Sequence, residues 1–237
     1  MNKISRYLLV VIMLSGCTTA QIQQAVNDYL GEDELSTSDV VSGLKEALVQ
    51  GISKGSNNAS AINGYFKNPS IKIPFPPDAS KVESKLRQIG LGKEVDKFIL
   101  TLNRGAEQAA KEAKPIFVNA IRSMTIQDAW GILKGDNNAA TAYLERTTGT
   151  QLKAKFRPVI ESALQKTNAT KYYGDLVNTY NKIPFVDKVD PELDNYATTL
   201  AIQGLFTLVA KEELNIRKNP SARATELLKK VFGSQDG

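Results

Sequence analysis

In 237 residues the chain holds one cysteine, no histidine, and 30 basic against 25 acidic side chains. A single thiol excludes a disulfide framework, and the missing imidazole excludes Ser-His-Asp and Cys-His catalysis, histidine zinc sites and histidine pH sensing. The basic residues are scattered rather than gathered into the stripe that nucleic acid requires, so no nucleic-acid partner is expected.

The chain opens with Lys3 and Arg6, then an apolar run over 7–14 (YLLVVIML), then Leu14-Ser15-Gly16-Cys17. The run is far shorter than the ~20 residues of a membrane-spanning helix. A basic front, a short apolar core and small exit residues describe a secretory signal. Leu-Ser-Gly-Cys resembles a lipobox, which predicts a signal peptide over 1–16, cleavage before Cys17, and acyl chains such as palmitate on that cysteine. Each buried methylene contributes ~0.8 kcal/mol, so several chains anchor stably where one does not. Thr18 replaces the aspartate of inner-membrane retention, so the expected address is the outer membrane, facing the periplasm. Residues 17–35 are read as a lipidated tether and 36–237 as one helical domain.

From there the chain reads as helix after helix. Val40, Val41, Leu44, Ala47, Leu48 and Ile52 recur at three and four, with capping candidates over 36–39. Val82, Leu86 and Ile89 form a stripe stopped by Gly90. Val95, Phe98, Ile99, Leu102, Ala106, Ala109 and Ala113 continue one face, which Pro115 ends or kinks. Ile116, Phe117, Ala120 and Ile121 resume it. Thr125 with Asp128 predicts a capping box. Asn137 is expected to cap a helix through Tyr143 and Leu144; Leu152, Phe156, Ile160 and Leu164 make a separate one, kinked at Pro158. Leu176, Val177 and Tyr180 mark another. Asp190-Pro191 predicts the start of a long helix to about Arg217. Its middle, 200–210 (LAIQGLFTLVA), is apolar nearly all round, which predicts a helix buried on every side. Asn219-Pro220 breaks it, and a last helix closes at Gly233.

Two extended segments, 71–77 and 183–186, share Lys-Ile-Pro-Phe at 72–75 and 182–185. Lys-Gly-Ser-Asn-Asn-Ala at 54–59 echoes Lys-Gly-Asp-Asn-Asn-Ala at 134–139. Two readings stand: chance matches between helical punctuators, or an internal duplication of about 36–124 and 125–233 with an insertion near 149–175. Duplication predicts that the two extended segments pair as a small β-bridge. The fold class expected is all-α, a multi-helix bundle around a central helix near 191–217.

Several polar residues are candidates for chemistry. Asn103, Arg104 and Glu107 sit inside an apolar helix. Arg104 and Glu107 are spaced either for a same-helix pair or for a guanidinium facing a polar pocket, where it would hold a carboxylate or phosphate. Arg122 ends a helix, where it is expected to offset the negative end, with a ligand-binding role as the alternative. Tyr143 and Arg146 belong to a hydroxyl-rich run, 143–149, readable as an anion site or as a helix terminus. Glu213 and Arg217 are spaced for an ion pair, while Glu212 points to another face. Asp187, Asp190, Glu192 and Asp194 read as helix-start electrostatics rather than a metal site. Trp130 and Tyr65, Tyr143, Tyr172, Tyr173 and Tyr180 read as core, with a groove lining as the alternative. No cofactor and no metal are expected.

Gly43-Leu44-Lys45-Glu46-Ala47-Leu48, Ile71-Lys72-Ile73-Pro74, Leu102-Asn103-Arg104, Pro115-Ile116-Phe117, Ala140-Thr141-Ala142-Tyr143, Phe156-Arg157-Pro158, Gly204-Leu205-Phe206 and Glu212-Glu213 through Asn219-Pro220 occur in that order. In these runs the chain resembles domain-of-unknown-function family 4197, a family of bacterial envelope lipoproteins. The resemblance implies a helical fold and an envelope address. It implies no activity and no site residue.

The leading functional expectation is a lipid-anchored protein with a non-catalytic binding or assembly role, engaging the membrane through its anchor and another envelope component or a small amphiphile. One alternative is a carboxylate-based hydrolase, which needs two acids ~5–10 Å apart across a cleft, drawn from Glu107, Glu145, Glu212 and Glu213. Another is a lipid carrier, which predicts a sizeable apolar cavity between helices. The sequence leaves the oligomeric state open.

Overall fold

The computed structural model describes residues 36–166, 168–182, 184–185, 188–189 and 192–233, apart from the side chains of 170, 172, 176, 179 and 180. The helices are α1 (Thr37–Ser60), α2 (Ser80–Gln88), α3 (Gly92–Ala109), α4 (Ala113–Arg122), α5 (Ile126–Leu133), α6 (Ala139–Gln165), α7 (Ala169–Tyr180), α8 (Leu193–Lys218) and α9 (Glu226–Gly233). No strand occurs among the described residues, and the unit Thr37–Gly237 is one all-α bundle. The segments expected to be signal peptide and tether, with Cys17, lie outside the described residues. Among the described residues, no helix is long and apolar enough to cross a membrane.

Helix α8 is the axis. It packs along both α1 and α6, while α3 packs along α6 and also touches α8 and α1, and α4 packs on α1 and α6. Small residues allow the close approach. A Cβ on Gly204 would stand 2.8 Å from Cε1 of Tyr65 and 3.0 Å from Cβ of Ile71. Leu193, Ala197, Ala201, Leu205, Leu208 and Val209 are all buried. The expectation that α8 is wrapped on every side is corrected: Thr199, Gln203, Thr207 and Lys211 form an exposed stripe at four-residue spacing. Two threonines and a glutamine are short enough to leave the helix reading as apolar, yet they keep one edge in water. The helix begins at Leu193; Asp190 and Pro191 lie outside the described residues.

The two helices expected over 137–164 are one, α6, which runs unbroken through Gly149 and Pro158. The reason is a single stripe at four-residue spacing: Leu144, Thr148, Leu152, Phe156, Ile160 and Leu164, all buried. Thr148 interrupts the apolar pattern in the sequence but not in space, because its hydroxyl donates to the Leu144 carbonyl at 2.6 Å. Burying each large apolar side chain of this stripe contributes about 1.5–3 kcal/mol, enough to offset one helix glycine and one proline. The capping residue is Asn138, not Asn137, and its side chain makes no capping bond.

Other expectations hold. Thr125 and Asp128 form the reciprocal capping box of α5, with the Asp128 N–H donating to Thr125 Oγ1 at 3.1 Å and the Thr125 N–H to Asp128 Oδ2 at 3.0 Å. Gly90 stops α2 at φ +89°, a conformation glycine adopts without strain. Pro115 follows a 3-10 turn (Ala110–Glu112) that separates α3 from α4.

The echoed segments do not share a conformation. Residues 54–59 are the helical end of α1, whereas 134–139 form the turn between α5 and α6. Phe75 is buried, whereas Phe185 is fully exposed at φ +63°. No β-bridge joins the extended segments among the described residues, of which Ile183 and Val186 are not part. An asparagine amide holds the backbone of the first segment, and another holds the backbone just beyond the second. Asn103 exchanges two bonds with the Ile73 backbone, and Asn181 exchanges two with Val189.

Candidate functional site

Two buried carboxylates organise the polar interior, and both are spent on backbone. Glu107, on α3, accepts from the N–H groups of Tyr65 and Phe66, each at 3.2 Å, through one oxygen. Its other oxygen takes the Arg104 guanidinium, which also donates to Asn63 Oδ1 at 2.9 Å. One turn away, Asn103 accepts from the Ile73 N–H at 2.9 Å and donates to the Ile73 carbonyl at 2.8 Å and the Ile99 carbonyl at 2.7 Å. The three predicted residues Asn103, Arg104 and Glu107 are therefore brought together. They fasten the 61–75 segment to α3, and Arg104 also lines a groove between α3 and α6. Tyr65 completes the clamp: its hydroxyl donates to the Ala201 carbonyl at 2.6 Å. Burial, with Glu107 adding, holds that phenol well above its ordinary pKa.

Glu213 does for α6 what Glu107 does for the loop. It accepts from the N–H groups of Ala140 at 3.0 Å and Thr141 at 2.9 Å and from the Thr141 hydroxyl at 2.7 Å. These are first-turn donors with no partner inside the helix. Arg217 pairs with Glu213 at 2.9 Å and donates to the Ile132 carbonyl at 2.7 Å at the end of α5. Glu212 turns the other way, to Lys54 of α1 at 2.7 Å. Glu145 is exposed on α6. The four carboxylates proposed for hydrolysis thus sit in separate surroundings, and three of them are already engaged by cations.

The remaining predicted residues lie apart. Arg122 is exposed at the end of α4, where Lys45 donates to its carbonyl at 3.1 Å. Tyr143 is buried with the Arg146 guanidinium 5.5 Å from its ring centroid. Burial raises the Tyr143 pKa and Asp128 adds to it, while Arg146 acts in the opposite direction. This is a packed aromatic with a covering cation. Among the described residues there is no group of three His, Cys, Asp or Glu placed to hold a metal.

The clamp has a consequence for the surface. By fixing Ile73 against α3, it sets Phe75 beside Phe98, with centroids 5.0 Å apart. Tyr173 of α7 stacks on Phe98 at 6.0 Å and meets Phe75 at 6.3 Å. These three rings, with Leu86 of α2 and Leu91 and Val95 of the next helix, line a groove of about 490 Å³. That size falls within the ~300–1,000 Å³ usual for small-molecule sites. Its polar lining is confined to Glu94, Lys97 and Thr101.

A second groove, of about 740 Å³, runs between α3 and α6. The two helices come close at Gly105, where a Cβ would lie 3.4 Å from Cβ of Ala163 and 3.7 Å from Cα of Ile160. Lys97, Arg104 and Lys166 line it, and no acid does. Lys97 and Thr101 belong to both grooves.

Sequence reasoning passed over Phe75, Phe98, Lys97 and Lys166. Phe98 reads as core from its place in the stripe, and single lysines carry no periodic signal. The available clue was the aromatic after Lys72-Ile73-Pro74: proline holds the chain extended, so Phe75 cannot join a helix face.

Over residues 34–233 the chain matches the family described as protein of unknown function (DUF4197), and it belongs to that family. No curated protein and no solved structure matches it.

Proposed function

We propose that this DUF4197 member is a non-catalytic binding protein of the bacterial envelope, held to the outer membrane through acylated Cys17, whose ligand is a small amphiphile seated between α2, α3 and α7. The observation that carries this reading is the groove walled by Phe75, Phe98 and Tyr173. An apolar site walled by aromatic rings, with its few polar groups at one side, suits a molecule with a greasy body and one polar end. The anchor and the ligand chemistry agree with each other, since a bilayer beside the protein supplies amphiphiles. A hydrolytic role finds no support here: the groove holds one acid, Glu94, and the α3–α6 groove holds none.

Native mass spectrometry of the full chain, extracted gently and without added lipid, tests the binding role. The expected result is a low-mass apolar adduct that is lost when Leu86→Trp fills the groove. Bare protein that also takes up no apolar fluorescent probe would reject it. The address is tested separately, by incorporation of labelled palmitate into wild type and not into Cys17→Ser, with the variant leaving the membrane fraction.

A further inference from the structure

We infer that the ligand is anionic, with its charged group held between Lys97 and Lys166 while its apolar part fills the aromatic groove. This rests on the binding role proposed above and adds the charge and orientation of the ligand. It begins from a juxtaposition. The two grooves open on one face of α3 and share Lys97 and Thr101. One is walled by rings. The other is lined by cations alone among its charged residues.

Those cations differ in what they already do. Arg104 is committed to Glu107 and Asn63. Arg157, next to the groove residue Pro158 on α6, is paired with Asp194 at 2.8 Å. Among the described residues, the ammonium groups of Lys97 and Lys166 have no acid partner, and both side chains are exposed. Lys166 also sits at the C-cap of α6. Two flexible ammonium groups on facing helices, with a clamped guanidinium further along, make a positive field in a groove that no acid lines; Glu94 stands on the aromatic-groove side of Lys97. A carboxylate or phosphate between them gains charge-assisted hydrogen bonds. Floor residues Leu100, Val159 and Ala163 exclude water from one side and strengthen the attraction. Lys97 and Thr101 line both grooves, so one molecule with a single chain can reach from the lysines to the aromatic rings. The occupant is therefore a single-chain anionic amphiphile of fatty-acid type rather than a neutral apolar compound.

The test uses the full chain carrying Cys17→Ser, so that no detergent is needed. A dansyl-labelled fatty acid and its methyl ester are titrated by fluorescence, below their self-association concentrations. Wild type is expected to bind the acid at least tenfold more tightly than the ester. Lys97→Gln with Lys166→Gln should bring the acid-to-ester affinity ratio to about one, and an unchanged thermal unfolding midpoint checks that the double variant folds. Equal binding of acid and ester by wild type, or a preference that survives in the double variant, overturns the inference and leaves the binding role standing. Binding of neither probe by wild type overturns both.

Discussion

Glu213 and Arg217, one turn apart on α8, serve opposite ends of two consecutive helices. Glu213 takes the first free N–H groups of α6, and Arg217 donates to the last carbonyls of α5. The acid meets the positive end of one helix dipole and the base meets the negative end of the other. Both side chains are largely withdrawn from water, so each protects the other from being a lone buried charge. Glu213→Ala should cost about 3–5 kcal/mol, because it strands Arg217 and orphans two backbone donors. Denaturant unfolding of both single variants and the double variant checks this. The double should cost clearly less than the sum of the singles; simple additivity would mean that the pair does not act as a unit.

Gly204 and Gly149 are both helix glycines, with opposite prospects. Gly204→Ala pushes a methyl into Tyr65 and Ile71, and Tyr65 cannot retreat without losing its bond to Ala201. Overpacking of this kind costs about 1–3 kcal/mol, outweighing the ~1 kcal/mol gained in helix propensity. Gly149→Ala meets nothing within 4 Å and should stabilise by about 0.5–1 kcal/mol. Thermal unfolding of the two variants should therefore move in opposite directions.

Asn103→Leu keeps the volume of the side chain and removes the clamp on Ile73. The Ile73 N–H and carbonyl are then left without their partner, at about 1–3 kcal/mol for each unsatisfied group. Amide hydrogen exchange should accelerate at Ile73 while α8 amides stay protected. Since the clamp positions Phe75, apolar probe binding should weaken in the same variant.

Stability should fall at both ends of the pH scale, for different residues. Tyr196 is pushed up to about 12, by burial first and then by Tyr173 and Asp78, and burial also raises Tyr65. A phenol that holds its proton more tightly when folded contributes fully below its unfolded value of ~10 and loses that contribution as pH rises toward its folded value. Alkaline unfolding should therefore set in above about pH 10, and Tyr65→Phe should lessen it. Asp128 goes the other way: the Thr125 hydroxyl and N–H lower its pKa. Its contribution is present above about pH 4 and is lost as pH falls further. Asp128→Asn should flatten the acid limb, and Thr125→Ala should cost about 1 kcal/mol at neutral pH.

The helical plan was legible because it depends on local signals. Apolar spacing marked α1 and α3, Thr125 with Asp128 marked α5, and Gly90 ended α2. Where the pattern broke for local reasons, the reading failed. Thr148-Gly149 looks like a terminus, and only the Leu144 carbonyl shows that it is mid-helix. The site was less legible for a related reason. Arg104 and Glu107 are spaced to meet, but spacing cannot show that Glu107 also has backbone N–H groups from forty residues upstream to satisfy. Phe98 and Tyr173 face each other across distant parts of the chain, so neither announces a groove. The repeated Lys-Ile-Pro-Phe carried a real signal in one copy, where it leads Phe75 into that groove.

Isotope-labelled Phe and Tyr rings offer the most direct test of the amphiphile site. Dodecanoate titrated into the labelled chain should shift the ring signals of Phe75, Phe98 and Tyr173 together and saturably, while those of Phe117 and Phe156 in the core stay still. Unmoved signals from those three rings, or shifts confined to Tyr143, which is not among the residues lining either groove, would contradict the account.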